Sequence, residues 1–144
     1  MEILIVSACA WAIAQSLKVI IGMIKKTGFD FRTFIATGGM PSSHSAFVSA
    51  LFTSVAIVEG VKSTSFAISV GLAIIVMYDA AGLRRSVGQQ ATVLNRILKE
   101  LRERRSITYF EKDLRELIGH SALQVIVGAS LGIASACLWF LWLA

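Results

Sequence analysis

The sequence contains few cysteines, histidines, prolines and acidic residues. Its 144 residues include one proline, two histidines and nine Asp and Glu, against 14 Lys and Arg. The two cysteines, Cys9 and Cys137, lie in apolar runs at opposite ends of the chain without metal-ligand spacing, so we interpret them as small buried hydrophobic residues. No low-complexity segment or clear internal repeat is present. The sequence therefore favours one domain over residues 1–144 and gives no support to a transporter built from inverted repeats.

Apolar residues, in contrast, are abundant. They make up 56% of the chain, whereas about 45–50% is usual in soluble domains. Four apolar runs occur, of which the first and the last are long enough to cross a hydrocarbon core of about 30 Å: residues 3–23, 45–58, 64–78 and 120–143. We predict an all-α, polytopic membrane helical bundle of about four transmembrane helices, with Gly128 and Gly132 forming a small-residue contact face.

Basic residues are concentrated in two of the segments between these runs. Residues 25–39 carry three and residues 84–115 carry nine, so 12 of the 14 lie on one side of a four-span bundle. The positive-inside rule places that side in the cytoplasm and both termini outside. We therefore expect an integral protein of a bacterial inner membrane.

The second basic segment also has a helical pattern. Apolar residues recur in it at steps of three and four, which predicts an amphipathic cytoplasmic helix on the membrane surface or against the bundle: Val87, Ala91, Leu94, Leu98 and Leu101. Nucleic-acid binding is a weaker interpretation of the same arginines, because acidic residues are interleaved with them and the segment is tethered between spans. We expect the membrane as a partner and no nucleic acid.

One short stretch, residues 38–45, combines the features of an anion site. Its two glycines permit backbone conformations with φ > 0, and Pro41 suits the first turn of a helix. Ser42 and Ser43 would be hydroxyl donors beside free N–H groups, and His44 adds a titratable ring. The alternative interpretation is a capped membrane helix with a chance histidine.

A lysine inside the first apolar run has two interpretations. Gln15, Lys18, Gly22 and Lys25 share one face of a helix. Lys18 either extends to the membrane interface or belongs to a polar stripe that leads to the anion site. Intramembrane charges such as Lys18 and Asp79 would also suit a small transporter or channel subunit.

The predicted topology brings the polar and charged residues to one membrane face. Both histidines stand there at the ends of helices, together with basic residues. The residues predicted at this face are Lys25, Arg32, Ser42, Ser43, His44, Asp79, Arg84, Arg85 and His120. One histidine can act as a nucleophile and the other as a proton donor, while cations bind the phosphate oxygens. This set is suited to phosphoryl transfer.

Three of these groups have the spacing of known motifs. Lys25 and Arg32 are spaced as Lys-x6-Arg, residues 41–44 read Pro-Ser-Ser-His, and residues 119–128 begin with Gly-His. They resemble the motifs Lys-x6-Arg-Pro, Pro-Ser-Gly-His and Ser-Arg-x5-His-x3-Asp of the type-2 phosphatidic acid phosphatase superfamily. Thr33 stands where that superfamily has proline, and serine replaces the glycine of the second motif.

Two longer stretches resemble the small, divergent membrane branch of that superfamily. Residues 38–46 read Gly-Gly-Met-Pro-Ser-Ser-His-Ser-Ala, and residues 79–85 read Asp-Ala-Ala-Gly-Leu-Arg-Arg. Both are similar to stretches of the branch. The resemblance covers nearly the whole chain.

The resemblance implies a metal-independent lipid phosphatase without a cofactor. His120 would attack phosphorus and form a phosphohistidine, and His44 would protonate the leaving oxygen. The phosphate would be bound by Lys25, Arg32, Ser42, Ser43, Arg84 and Arg85. Lys18 and Asp79 would support these residues. Arg84 or Arg85 would replace the arginine of the third motif, and Asp79 alternatively pairs with Arg85. The substrate would be a lipid phosphate monoester or diphosphate, such as phosphatidate, phosphatidylglycerophosphate or an isoprenyl diphosphate, and a homo-oligomer is compatible with the sequence.

Gln124 departs from the family pattern. The family has a carboxylate four residues after the nucleophilic histidine, where it orients the ring and stabilises its charge. Gln124 can accept a hydrogen bond from the ring but carries no charge. The chain is then a slow enzyme, an enzyme that uses Asp79 or another acid, or a lipid-binding pseudoenzyme without turnover.

Overall fold

The computed structural model describes residues 1–24, 39–82, 90–100 and 121–142. Throughout these ranges the regular secondary structure is helical, because each apolar run forms one helix. The helices are α1 (Glu2–Ile24), α2 (Ser43–Glu59), α3 (Thr64–Ala81), α4 (residues 90–100) and α5 (Ala122–Trp142). The prediction of an all-α bundle is confirmed.

Three of the helices, α1, α3 and α5, are long and apolar enough to cross a membrane. The fourth apolar helix, α2, has 17 residues, which is at the lower end of the range for spanning helices, about 17–25 residues. A bundle of about four apolar helices therefore agrees with the prediction from the sequence.

Helix α2 forms the centre of the bundle. Eight of its 17 residues are buried, and it packs against α1, α3 and α5, while α1 also contacts α5. The core cluster joins α1, α2 and α5 through the small side chains of Val6, Ala10, Ala50 and Ala136. Trp139 and Phe140 pack against it. Small residues at these contacts let the helices approach closely.

Helices α2 and α5 approach each other closely at two glycines of α5. A Cβ atom added to Gly132 would lie 2.9 Å from the carbonyl carbon of Ala46 and 2.9 Å from the amide nitrogen of Ala50, and it would overlap the carbonyl oxygen of Ala46. A Cβ on Gly128 would overlap the carbonyl oxygen of Ser42 in the same way. Neither position has room for a side chain, so the predicted small-residue contact face is confirmed.

The two cysteines are not buried in the protein. Cys9 is exposed on α1 and Cys137 is half-buried on α5, so the interpretation of both as buried residues was wrong. The physical reason is that apolar side chains of a membrane helix are as stable against lipid tails as against a protein core.

A helix in the second basic segment is confirmed where the structure describes it. Residues 90–100 are helical, with Ala91 and Leu98 half-buried and Leu94 50% exposed. The rest of the predicted helix lies outside the described residues.

Candidate functional site

The start of α2 is capped by its own serines. Ser42 is the N-cap, and its Oγ accepts hydrogen bonds from the Ser45 N–H (3.4 Å) and from the Ser45 hydroxyl (2.9 Å). Its carbonyl oxygen accepts from the N–H of Ala46 at 3.0 Å. Ser42, Ser43 and Ser45 are at most 2% exposed, so three hydroxyls lie in the protein interior at this helix end.

Pro41 does not occupy the position that we predicted from the sequence. The helix begins at Ser43 with Ser42 as its cap, so Pro41 lies one residue before the cap and not in the first turn. The reason is local. Serine is a favoured N-cap residue, and the Ser42 side chain accepts the capping hydrogen bond. The Met40–Pro41 peptide bond is cis.

The capping bonds also restrict where an anion could bind. They use the N–H groups of Ser45 and Ala46, and the Ser42 N–H donates to α5. An oxyanion at this helix start could therefore not bind the N–H groups of Ser42 or Ser45 without displacing these bonds.

The start of α5 is a reciprocal capping box. The Oε1 atom of Gln124 accepts from the N–H of Ser121 at 3.0 Å, and the Ser121 Oγ accepts from the N–H of Gln124 at 3.3 Å. Ser-x-x-Gln is the sequence signature of this motif, so the spacing of Ser121 and Gln124 could have predicted the capping box, which the sequence analysis did not include. Gln124 thus has a structural role that does not depend on catalysis.

The two helix starts are joined by the main chain. The Ser42 N–H donates to the carbonyl oxygen of Gln124 at 3.1 Å, and one turn further along α5 Gly128 lies against Ser42. His44 is two residues after Ser42 and half-buried, and His120 directly precedes Ser121 in the sequence. The structure therefore brings together the helix starts next to both predicted histidines.

Helix α1 brings a polar face to the same end of the bundle. Gln15 and Lys18 are 5% and 4% exposed, although both lie within a membrane-length helix. The Lys18 side chain passes Gly39, whose φ is +100°. A Cβ atom on Gly39 would lie 3.2 Å from Lys18 Cγ and 3.3 Å from Lys18 Cδ, so lysine and loop are in van der Waals contact.

Helix α2 also carries polar side chains into the bundle. Ser49 and Thr53 follow Ser42 at seven and eleven residues, which places them on the same side of the helix. The hydroxyl oxygens of Ser49, Thr53 and Ser54 are buried, and none has a hydrogen-bond partner among the residues that the structure describes. Buried hydroxyls of this kind destabilise a helix bundle.

Several predicted site residues lie outside the described residues, so their placement stays a prediction: Lys25, Arg32, Arg84, Arg85 and His120. Asp79 is described and lies half-buried near the end of α3. In the described part of the chain, no cluster of His, Cys, Asp and Glu has the arrangement of a metal site.

Comparisons with known proteins agree with this architecture. Residues 1–135 match the Divergent PAP2 family. The chain is 40% identical over 139 residues to the uncharacterized membrane protein YuiD of Bacillus subtilis (strain 168), an alignment that covers 90% of this chain and 88% of that protein. No solved structure matches the chain significantly. A relative described as a membrane protein agrees with the three membrane-length helices.

Proposed function

We propose, from the premise that the chain belongs to the divergent PAP2 family, that it is a lipid phosphatase of the bacterial inner membrane. The observation that carries the proposal is the hydrogen bond from the Ser42 N–H to the Gln124 carbonyl oxygen. It joins the helix that bears His44 to the helix that follows His120 in the sequence. Phosphoryl transfer through a phosphohistidine requires a nucleophile and a proton donor that reach the same phosphate.

The reaction has two steps. A ring nitrogen of His120 attacks phosphorus, an N–P bond forms, and the P–O bond to the lipid breaks while His44 gives its proton to the leaving oxygen. Water then attacks the phosphohistidine, His44 takes a proton from that water, and the N–P bond breaks. The products are the dephosphorylated lipid and inorganic phosphate, and both histidines return to their starting protonation states.

Cations and hydroxyls stabilise the charge on the transferred phosphoryl group. Ser42 and Ser43 lie buried at the start of α2. The cationic residues of the proposed site are Lys25, Arg32, Arg84 and Arg85. The substrate is a membrane-embedded phosphate monoester or diphosphate, because the site is at the end of a membrane bundle. The positive-inside rule puts that end in the cytoplasm.

A second candidate function is supported by Gln124. Its side-chain oxygen already accepts a hydrogen bond from Ser121, and an amide brings no negative charge to the neighbouring histidine. A protein that binds lipid phosphates without turning them over would have this residue and the same phosphate-binding groups.

Phosphate release by purified protein tests the proposal. We expect release from at least one member of a panel of phosphatidate, phosphatidylglycerophosphate and isoprenyl diphosphate, in EDTA, and loss of both release and covalent phosphoenzyme in His120→Ala. His44→Ala should retain more activity towards substrates with good leaving groups than towards lipids. If the parent protein binds these lipids and releases no phosphate from any of them, the pseudoenzyme is correct.

A further inference from the structure

A buried lysine in a membrane helix requires a physical reason. Lys18 lies six residues before the end of α1, about 9 Å along the helix axis. Its side chain is 4% exposed. It therefore does not project from the bundle into the interface, which was one of the two interpretations of the sequence, but runs inside the protein along Gly39.

We propose that Lys18 is a phosphate-binding residue of the site, whose ammonium group binds a non-bridging oxygen of the lipid phosphate from the α1 side. This inference rests on the proposed function for the identity of the ligand. Lys18 is a cation outside the three known motifs. It lies on α1, and none of those motifs includes a residue of α1 as the structure describes it.

The Lys18 side chain lies against the segment that leads into α2. The contact of its Cγ and Cδ with Gly39 directs the side chain along the segment that leads into α2. Ser42, the cap of α2, is three residues after Gly39. The contact thus places the Lys18 side chain against the segment that ends at the Ser42 cap, and the Ser42 N–H donates to the carbonyl oxygen of Gln124 on α5.

The residue types in this part of the bundle are chemically suited to a phosphate. Burial of an ammonium group is unfavourable unless charge or hydrogen bonds compensate for the lost water. The buried side chains at the start of α2 are hydroxyls, and Gln15 lies one turn before Lys18 on the same face. An ammonium group, hydroxyls and an amide in one part of the bundle are the kinds of group that bind a phosphate dianion.

The alternative is that Lys18 only fills space, because its methylene groups pack on a glycine that has no side chain. Methionine has nearly the same length and can keep that packing without the charge. Lys18→Met therefore separates the two roles, and Lys18→Arg keeps the charge. The matched control is Lys62→Met, because Lys62 is exposed in the turn between α2 and α3, at the opposite end of α2.

The test measures oxyanion affinity in two ways with purified full-length protein in detergent. The first is the inhibition constant of inorganic phosphate and of vanadate during lipid hydrolysis. The second is the rise in melting temperature that each oxyanion produces, which requires no turnover. We expect Lys18→Met to weaken both oxyanions by about 10-fold or more, as for a hydrogen bond to a charged group, and to raise KM.

Lys18→Arg should recover part of the affinity, and Lys62→Met should match the parent. If Lys18→Met binds both oxyanions within twofold of the parent, Lys18 only fills space and the inference is wrong. If the parent binds oxyanions but hydrolyses no lipid of the panel, the proposed phosphatase is wrong while the melting shifts still decide the role of Lys18. If no oxyanion shifts the parent, both are wrong.

Discussion

Replacing Gln124 by glutamate distinguishes an impaired enzyme from a protein that uses a different acid. The Gln124 side chain has one acceptor oxygen, and that oxygen accepts the N–H of Ser121 at 3.0 Å. A carboxylate has two oxygens, so Gln124→Glu can keep the capping box with one oxygen and accept a hydrogen bond from the His120 ring with the other. The same substitution introduces a negative charge beside the histidine.

The expected effect on the rate follows from the energy of that bond. A hydrogen bond to a charged group contributes about 1.5–3 kcal/mol, and each 1.36 kcal/mol of transition-state stabilisation is a factor of ten. We expect kcat to rise by about 10- to 100-fold. The loss of about 10⁴ in serine proteases whose histidine-orienting aspartate is changed to asparagine is an upper limit. Stability should rise by about 0.3–1 kcal/mol, because the charge lies in the first turn of α5.

Steady-state phosphate release and thermal melting of the same preparations check both effects. Gln90→Glu is the matched control, since Gln90 is exposed at the first described residue of α4 and the change in charge is identical. An unchanged kcat in Gln124→Glu, with oxyanion binding intact, would refute the reasoning about the missing carboxylate. A slower Gln124→Glu variant of a fast parent would direct the search for the orienting acid to Asp79.

Three further predictions concern packing and topology. Gly132→Ala should lower stability by about 1–3 kcal/mol, because its Cβ would meet the α2 backbone, while Gly71→Ala should be neutral or stabilising, since a Cβ there meets nothing within 4 Å; equal melting temperatures would contradict the close α2–α5 contact. Ser49→Ala should not lower the melting temperature, because its hydroxyl has no hydrogen-bond partner among the described residues, whereas Ser7→Ala loses a 2.8 Å bond to Ile3 and should cost about 1 kcal/mol; a larger loss in Ser49→Ala would reveal a partner. In a variant without native cysteines, a cysteine at Lys62 should react with an impermeant reagent added outside intact cells and one at Gln90 should not; the reverse pattern would place the site on the outer face.

The helices could be predicted from the sequence because hydrophobic length depends on each segment alone. The run predicted over residues 45–58 became α2, Ser43–Glu59, and the small-residue face at Gly128 and Gly132 was predicted because its spacing is visible along one helix. The position of Pro41 could not be predicted in the same way. Both Pro41 and Ser42 are residues that favour a helix start, and only the capping geometry shows that the helix begins after Ser42.

The candidate site was predictable in composition but not in arrangement. The sequence identifies His44 and the serines, yet whether Lys18 extends to the interface or into the bundle depends on α1 packing beside Gly39, which is a contact between distant segments. The bond from Ser42 to Gln124 involves backbone atoms only, so no side-chain pattern could indicate it.

That backbone bond has an evolutionary consequence. The joint between α2 and α5 uses a main-chain carbonyl and a glycine, so its strength is independent of the side chain at residue 124. Glutamate and glutamine both complete the capping box. Exchange of glutamate for glutamine at residue 124 would therefore leave the contact between α2 and α5 in place. Enzymes and proteins that bind without turnover could then evolve from one another with the same fold.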